Sequence, residues 1–114
     1  MTMTGLDVTP EQLETLQALL DHFLPSVAVW AYGSRVKRTA RRYSDLDLVV
    51  FVTSEQRTRV AELREALDES NLPFSVDVLI RDELPESFQR NIDEWYVVVQ
   101  EGSDGMAESL HYRT

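Results

Sequence analysis

Two aspartates stand at the start of an apolar segment, in the stretch SDLDLVVF. Asp45 and Asp47 are two residues apart, so in a strand both side chains leave the same face of the sheet. Two carboxylates held side by side repel each other unless a proton or a cation lies between them. Mg²⁺ prefers oxygen ligands and takes only one or two carboxylates, which leaves coordination sites for phosphate oxygens. The pair therefore predicts a magnesium site that accepts a phosphorylated substrate.

A third aspartate, Asp77, lies inside the apolar segment SVDVLI. Apolar residues alternate with it, which puts Asp77 on the opposite face of the predicted strand from its neighbours. A carboxylate inside an apolar strand is costly to bury without a partner, unless the strand is an edge strand that exposes it. If this strand pairs beside the strand of Asp45 and Asp47, the three carboxylates can form a two-metal centre.

Gly33 and Ser34 follow the predicted strand SVAVWAY and precede a short predicted helix. A glycine there lets a ligand approach the backbone closely, and the N–H groups of a helix start, with the Ser34 hydroxyl, can donate to an anion. Five basic residues come next: Arg35, Lys37, Arg38, Arg41 and Arg42. We interpret this segment as phosphate-binding, with Arg35 and Lys37 as the preferred cationic contacts; a solvated helix face is the alternative.

The chain as a whole is acidic, with 114 residues, 20 acidic side chains against 11 basic ones, and a net charge of -9. Since five of the basic residues are clustered, the rest of the chain is strongly negative and repels a long phosphodiester backbone. We therefore expect no direct nucleic-acid binding. No apolar segment reaches the roughly 18 residues of a membrane span, and cysteine is absent. These features favour a cytoplasmic protein without a membrane partner.

Helices and strands are predicted to alternate along the chain. A capped amphipathic helix fills the segment between Thr9 and Pro25, and a further helix, after the short one that follows Gly33, begins at Ser54. Three strands, SVAVWAY, LDLVVFV and FSVDVLI, lie between the helices. This order predicts an α+β (α/β) fold, a small mixed sheet of three or more strands flanked by helices.

The last predicted helix begins near Pro85 and carries four apolar side chains inward: Phe88, Ile92, Trp95 and Tyr96. For Trp95 and Tyr96 the alternative is a surface that faces a partner, if they are exposed. Whether the segment YVVVQ ends that helix or is extended is open, because β-branched runs are poor helix formers. The role of Tyr32 is open too. It either joins the core or flanks a bound nucleotide beside Gly33.

The combined pattern of Gly-Ser, ten residues and Asp-x-Asp, followed by an aspartate in the next strand, resembles the nucleotidyltransferase fold of the polymerase-beta superfamily. More narrowly, it resembles the minimal nucleotidyltransferases (the MNT group) that are paired with HEPN toxins in bacterial and archaeal toxin–antitoxin modules. The resemblance runs from about residue 10 to residue 101. We therefore predict a nucleotidyltransferase domain over residues 1–101 and a flexible C-terminal tail over residues 102–114.

The resemblance implies transfer of a nucleoside monophosphate from an NTP, usually ATP, to a hydroxyl, with release of pyrophosphate. By motif, Gly33 and Ser34 hold the phosphates, and Asp45 and Asp47 bind two Mg²⁺ ions. Asp77 binds one of these ions and accepts, directly or through that ion, the proton of the attacking hydroxyl.

The short chain shows no separate acceptor-binding domain, which suggests that a partner supplies the acceptor group. Together with the resemblance, this implies AMP transfer to a hydroxyl, which we expect to be that of a tyrosine, on a cognate HEPN ribonuclease toxin. Two alternatives stay open from the sequence. The chain is a non-catalytic antitoxin that masks the toxin by binding, or it is a small-molecule nucleotidyltransferase of the aminoglycoside type.

Overall fold

The computed structural model describes residues 6–37 and 45–102. The predicted C-terminal tail, except for its first residue, and the basic residues from 38 to 42 lie outside these ranges. The elements in chain order are α1 (Pro10–Phe23), β1 (Val29–Tyr32), α2 (Ser34–Lys37), β2 (Leu46–Val50), α3 (Arg57–Glu69), β3 (Val76–Ile80), α4 (Glu86–Glu94) and β4 (Val97–Gln100). Short 3-10 turns over Ser54–Gln56 and Arg81–Glu83 lead towards α3 and α4.

The four strands form one mixed sheet in the order β3-β2-β1-β4. Strand β2 pairs with β3 in parallel, and β1 pairs antiparallel with both β2 and β4. This architecture confirms the predicted mixed sheet with flanking helices. It also settles the conformation of the segment YVVVQ. Most of this segment forms the extended strand β4, as its three consecutive valines favour.

The main core lies between the sheet and the helices α1 and α3. Helix α1 buries Leu16 and Leu20, and α3 buries Val60, Leu63 and Leu67. These spacings of three and four residues form one apolar stripe on each helix. Alternate strand residues complete this core on the facing side of the sheet: Val29, Ala31, Leu46, Leu48, Val50, Val78 and Ile80.

A smaller apolar cluster covers the other face of the sheet, where α4 packs. Trp30, Val49 and Ile92 are its buried members. The ring of Tyr96 stacks on Trp30 with 3.8 Å between centroids. Towards the other end of the strands this face becomes polar, since Asp47 is half-buried and Asp77 is exposed. The sheet therefore has one fully apolar face and one face that holds carboxylates.

The prediction that Trp95 packs inward was wrong. Helix α4 ends at Glu94, and Trp95 is its C-cap in an extended conformation, with its N–H donating to the Ile92 carbonyl at 3.1 Å. Its side chain is 54% exposed. The helical period that turns Phe88 and Ile92 towards the sheet stops one residue before Trp95, so the pattern could not be continued through it. None of the helices in the described ranges has the length and hydrophobicity to cross a membrane.

Candidate active site

Asp47 and Asp77 lie opposite each other on neighbouring strands. They are Cα partners in the parallel β2–β3 pair, and such strands run about 4.8 Å apart. Because both strands alternate in step, the two carboxylates leave the same face of the sheet, and the apolar neighbours on each side of them enter the main core. The parallel pairing that the sequence left conditional thus brings these two predicted residues together.

The charges of Asp45 and Asp77 both act on the half-buried carboxylate of Asp47. Burial raises the pKa of Asp47 to about 6, and the charges of Asp77 and then Asp45 contribute further to this rise. Asp45 is exposed and comes immediately before β2. The acidic cluster is therefore a site where a cation would relieve repulsion.

Gly33 forms a sharp elbow directly after β1. Its φ of +87° is in the left-handed region that favours glycine. A Cβ atom added at Gly33 would lie 2.5 Å from Oδ2 of Asp47. Glycine is thus required twice, by the backbone conformation and by the close approach of the carboxylate. The elbow and the acidic pair form one site.

Tyr32 lies at the same level of the sheet as Asp47 and Asp77, on the neighbouring strand β1. It is the Cα partner of Asp47 on the antiparallel β1–β2 side, and its ring contacts Phe88 of α4 edge-on at 5.9 Å. Burial raises the pKa of the Tyr32 phenol to about 12, with further contributions from Asp47 and Asp77. Tyr32 is therefore a half-buried, protonated side chain that packs against α4 beside the carboxylates, and its contact with a nucleotide stays a prediction.

The carboxylates fit a metal that arrives with a phosphorylated ligand. Among the described residues, no three acidic or histidine side chains are grouped tightly enough to form a metal site by themselves. Mg²⁺, however, takes only one or two carboxylates together with phosphate oxygens and water. The side-by-side pair of Asp47 and Asp77, with Asp45 acting on it electrostatically, supplies such hard oxygen donors.

The contacts of Arg35 do not fit the predicted phosphate contact. Its side chain is buried, with only 6% of the residue exposed. Its guanidinium donates to the carbonyl oxygen of Asp7 at 2.9 Å and lies over the Phe74 ring, 4.1 Å from the centroid. We therefore correct the role of Arg35 from a phosphate ligand to a buried structural cation. Neither Asp7 nor Phe74 was singled out from the sequence, because both lie far from Arg35 along the chain.

The other two predicted phosphate ligands, Ser34 and Lys37, belong to α2, which follows the elbow at Gly33. The backbone of this helix is described, and the Val36 N–H donates to the Gly33 carbonyl at 3.1 Å. The side chains of Ser34 and Lys37 lie outside the described part of the chain. Their predicted contacts with phosphate stay predictions.

Comparison with known proteins shows which family and which relatives this chain resembles. A family model described as "Polymerase beta, Nucleotidyltransferase" matches residues 14–103. The chain is also 42% identical over 98 residues to the probable protein adenylyltransferase MntA of Haemophilus influenzae. That alignment covers 84% of this chain and 85% of the relative.

Solved structures show the same fold. A crystal structure of a toxin–antitoxin with AMP-PNP superposes with a TM-score of 0.61 at 19% identity, over 89% of this chain and 82% of that chain. A crystal structure of the toxin–antitoxin MntA-HepT gives a TM-score of 0.56 at 15% identity, over 92% of this chain and 82% of that chain. At these identities the likeness establishes the fold alone.

Proposed function

Since this chain belongs to the polymerase beta nucleotidyltransferase family, we propose that it transfers AMP from ATP to a tyrosine hydroxyl of a cognate HEPN ribonuclease toxin and so neutralises the toxin. The relative named a probable protein adenylyltransferase supports the reaction. The neighbouring toxin–antitoxin structures, one of them with AMP-PNP, support the partner and the nucleotide. We assign this activity to residues 1–101, which include all the site residues.

The observation that carries the proposal is the contact between the glycine elbow and the acidic pair. A Cβ atom on Gly33 would lie 2.5 Å from Asp47, and Asp47 is the Cα partner of Asp77. A backbone turn that can approach phosphate closely is therefore held against two carboxylates that can hold cations. A nucleoside triphosphate that binds together with Mg²⁺ ions requires this combination.

Asp45 and Asp47 would hold two Mg²⁺ ions, with Asp77 as a further ligand of one of them. These ions, when bound, would neutralise the charge of the phosphates and of the carboxylates together. The turn at Gly33 would bring its backbone close to the triphosphate, and the Ser34 hydroxyl would donate to a phosphate oxygen. The acceptor hydroxyl oxygen forms a bond to the α-phosphorus, and the bond from the α-phosphorus to the bridging oxygen of pyrophosphate breaks. Asp77 accepts the hydroxyl proton.

The test incubates the chain, Mg²⁺ and the purified toxin with ATP labelled at either the α- or the γ-phosphate. We expect label on the toxin from α-labelled ATP alone, because pyrophosphate leaves with the γ-phosphate. Replacing the acceptor tyrosine, once mapped, by phenylalanine should remove the label. Transfer from γ-labelled ATP would contradict the proposal.

The variant Asp47→Asn separates catalysis from masking of the toxin. We expect it to abolish both labelling and neutralisation of the ribonuclease, whereas Asp68→Asn on the opposite side of the sheet should leave both intact. If Asp47→Asn still neutralises the toxin without labelling it, binding alone is the function. Label found on small hydroxylated compounds and not on the toxin would favour a small-molecule transferase.

A further inference from the structure

We infer that Arg35 is a positioning residue, which holds the glycine elbow at Gly33 in a fixed position relative to β3, the strand that carries Asp77. This inference rests on the proposed function, since it concerns how that site binds nucleotide. Arg35 acts through Gly33 on one side and through Phe74 and β3 on the other. This positioning role replaces the direct contact with phosphate that the charge of Arg35 first suggested.

Arg35 is clamped to the N-terminal segment at two points. Its guanidinium donates to the Asp7 carbonyl at 2.9 Å, and its own carbonyl accepts from the Asp7 N–H at 2.9 Å. Residues on both sides of Asp7 are anchored, because Leu6 is buried in the main core and Val8 packs against it. The clamp thus ties the first turn after Gly33 to a fixed part of the molecule.

Helix α2 needs such a clamp because it is only four residues long. One helical turn has no stability of its own and takes its orientation from tertiary contacts. Val36 supplies one contact, since it is 3% exposed and belongs to the main core. Arg35 supplies another through its two hydrogen bonds with Asp7, and its loss would leave the segment that follows Gly33 less firmly oriented.

The face of the Arg35 guanidinium contacts Phe74, which leads into β3 and so towards Asp77. Its guanidinium lies 4.1 Å from the centroid of the Phe74 ring, which is 9% exposed. The next residue, Ser75, accepts a hydrogen bond from the Leu46 N–H at 2.9 Å. That bond joins the starts of β3 and β2, two residues before Asp77 on one strand and between Asp45 and Asp47 on the other. A shift of Phe74 would therefore move the carboxylates relative to the elbow.

Lysine cannot replace arginine in this arrangement. The planar guanidinium donates in its plane and stacks through its face at the same time, whereas a lysine ammonium is a point charge without a stacking surface. A direct phosphate contact would behave differently, because a lysine would keep the charge. The exchange of Arg35 for lysine therefore distinguishes positioning from charge.

The test measures the Kd of the magnesium complex of AMP-PNP by calorimetry, at a temperature where urea unfolding shows every variant to be folded. We expect Arg35→Lys and Phe74→Leu each to weaken binding by about tenfold or more, since small displacements of a site have effects of this size. The double variant should bind about as weakly as the worse single variant, because both changes break one contact. At saturating ATP, kcat should fall less than kcat/KM.

Arg59→Lys is the matched control. Arg59 also donates its guanidinium to backbone carbonyls, those of Phe23 at 3.2 Å and His22 at 3.1 Å, and lies 5.3 Å from the centroid of the Phe23 ring, but it joins α3 to α1. We expect its Kd to stay within about twofold of wild type. Wild-type-like binding by Arg35→Lys or by Phe74→Leu would overturn this inference alone, as would fully multiplicative effects in the double variant. A wild-type chain that binds no magnesium–nucleotide complex would overturn the proposed function together with it.

Discussion

Asp47 on β2 and Asp77 on β3 are Cα partners in a parallel strand pair, so their carboxylates extend side by side from the polar end of one sheet face. The main cause of the raised pKa of Asp47, about 6, is burial, and the charge of Asp77 is the next. The fold thus holds a repulsion that a cation or a proton can relieve.

Asp77→Asn should reduce AMP transfer much more than it reduces nucleotide binding. The proposed proton acceptor is lost, and such groups contribute about 10²- to 10⁴-fold to a rate. Because Asp45 and Asp47 stay in place, we expect KM for ATP to change by less than tenfold. Asp47→Asn should instead impair both parameters. Steady-state kinetics with the toxin as acceptor measures the split, and equal losses of kcat in both variants with unchanged KM would contradict these separate roles.

Asp47→Asn should make the protein more stable at neutral pH and leave its stability near pH 4 almost unchanged. A carboxyl whose folded pKa is above its unfolded value favours the fold when it is protonated. Its contribution is present below the unfolded pKa of 3.8 and is lost as pH rises through about 6. Because Asp47 is half-buried and screened by solvent, we expect a gain of about 1 kcal/mol in the free energy of unfolding. Urea unfolding across this pH range measures it.

Mg²⁺ provides the control for that stability effect. If cations relieve the repulsion at Asp47, saturating Mg²⁺ should raise the Tm of wild type at neutral pH and should have a smaller effect on Asp47→Asn. Asp68→Asn should respond as wild type does. An equal response of all three proteins would show that Mg²⁺ acts elsewhere on the chain.

The sequence predicted much of the acidic cluster because strand alternation is a local rule. Two residues of separation predict one face for Asp45 and Asp47, although Asp45 comes just before β2, and the apolar neighbours of Asp77 turn it away from the core. The pairing of β2 with β3 is a tertiary fact, which the sequence could state only as a condition. The same limit applies to Trp95, whose exposure depends on where α4 ends.

Arg35 shows where residue type alone misleads. An arginine next to a Gly-Ser elbow has the charge of a phosphate ligand, and nothing local distinguishes that role from a buried one. Its partners Asp7 and Phe74 lie on opposite sides of it in the chain and meet it only in the fold. A buried arginine stacked on an aromatic ring could be recognised from the sequence only if those distant contacts were known.

Gly33→Ala should destabilise the fold and abolish nucleotide binding. A side chain at φ +87° is strained, and its Cβ atom would lie 2.5 Å from Oδ2 of Asp47, so the carboxylate must move. We expect a loss of about 1–3 kcal/mol in the free energy of unfolding.

Ser26→Gly is the matched opposite change, because Ser26 is a non-glycine residue at φ 67°. It should stabilise the fold by up to about 1 kcal/mol without changing nucleotide affinity. Urea unfolding and calorimetry of both variants test the pair, and an active Gly33→Ala protein would refute the close contact.

Arg81→Gln should destabilise the protein through the packing of α4 on the sheet. Arg81 makes a bidentate ion pair with Asp93 of α4, at 2.7 and 3.0 Å, and its guanidinium lies over the rings of Trp30 and Phe51 at 5.7 and 5.2 Å from their centroids. Its side chain is only 16% exposed, so solvent screens these interactions weakly. We expect a loss of about 1–3 kcal/mol in the free energy of unfolding.

Arg90→Gln is the control for that change, because the ion pair of Arg90 with Glu86 spans 3.9 Å between side chains that are 67% and 86% exposed. Such exposed pairs contribute little, so we expect a change within about 0.5 kcal/mol. Urea unfolding of both variants gives the comparison. Since Phe88 of α4 contacts Tyr32, Arg81→Gln should also loosen that ring contact and lower the pKa of the Tyr32 phenol, which ultraviolet titration against Tyr32→Phe can follow. Equal stability losses in the two arginine variants would show that the ring contacts of Arg81 do not hold α4 in place.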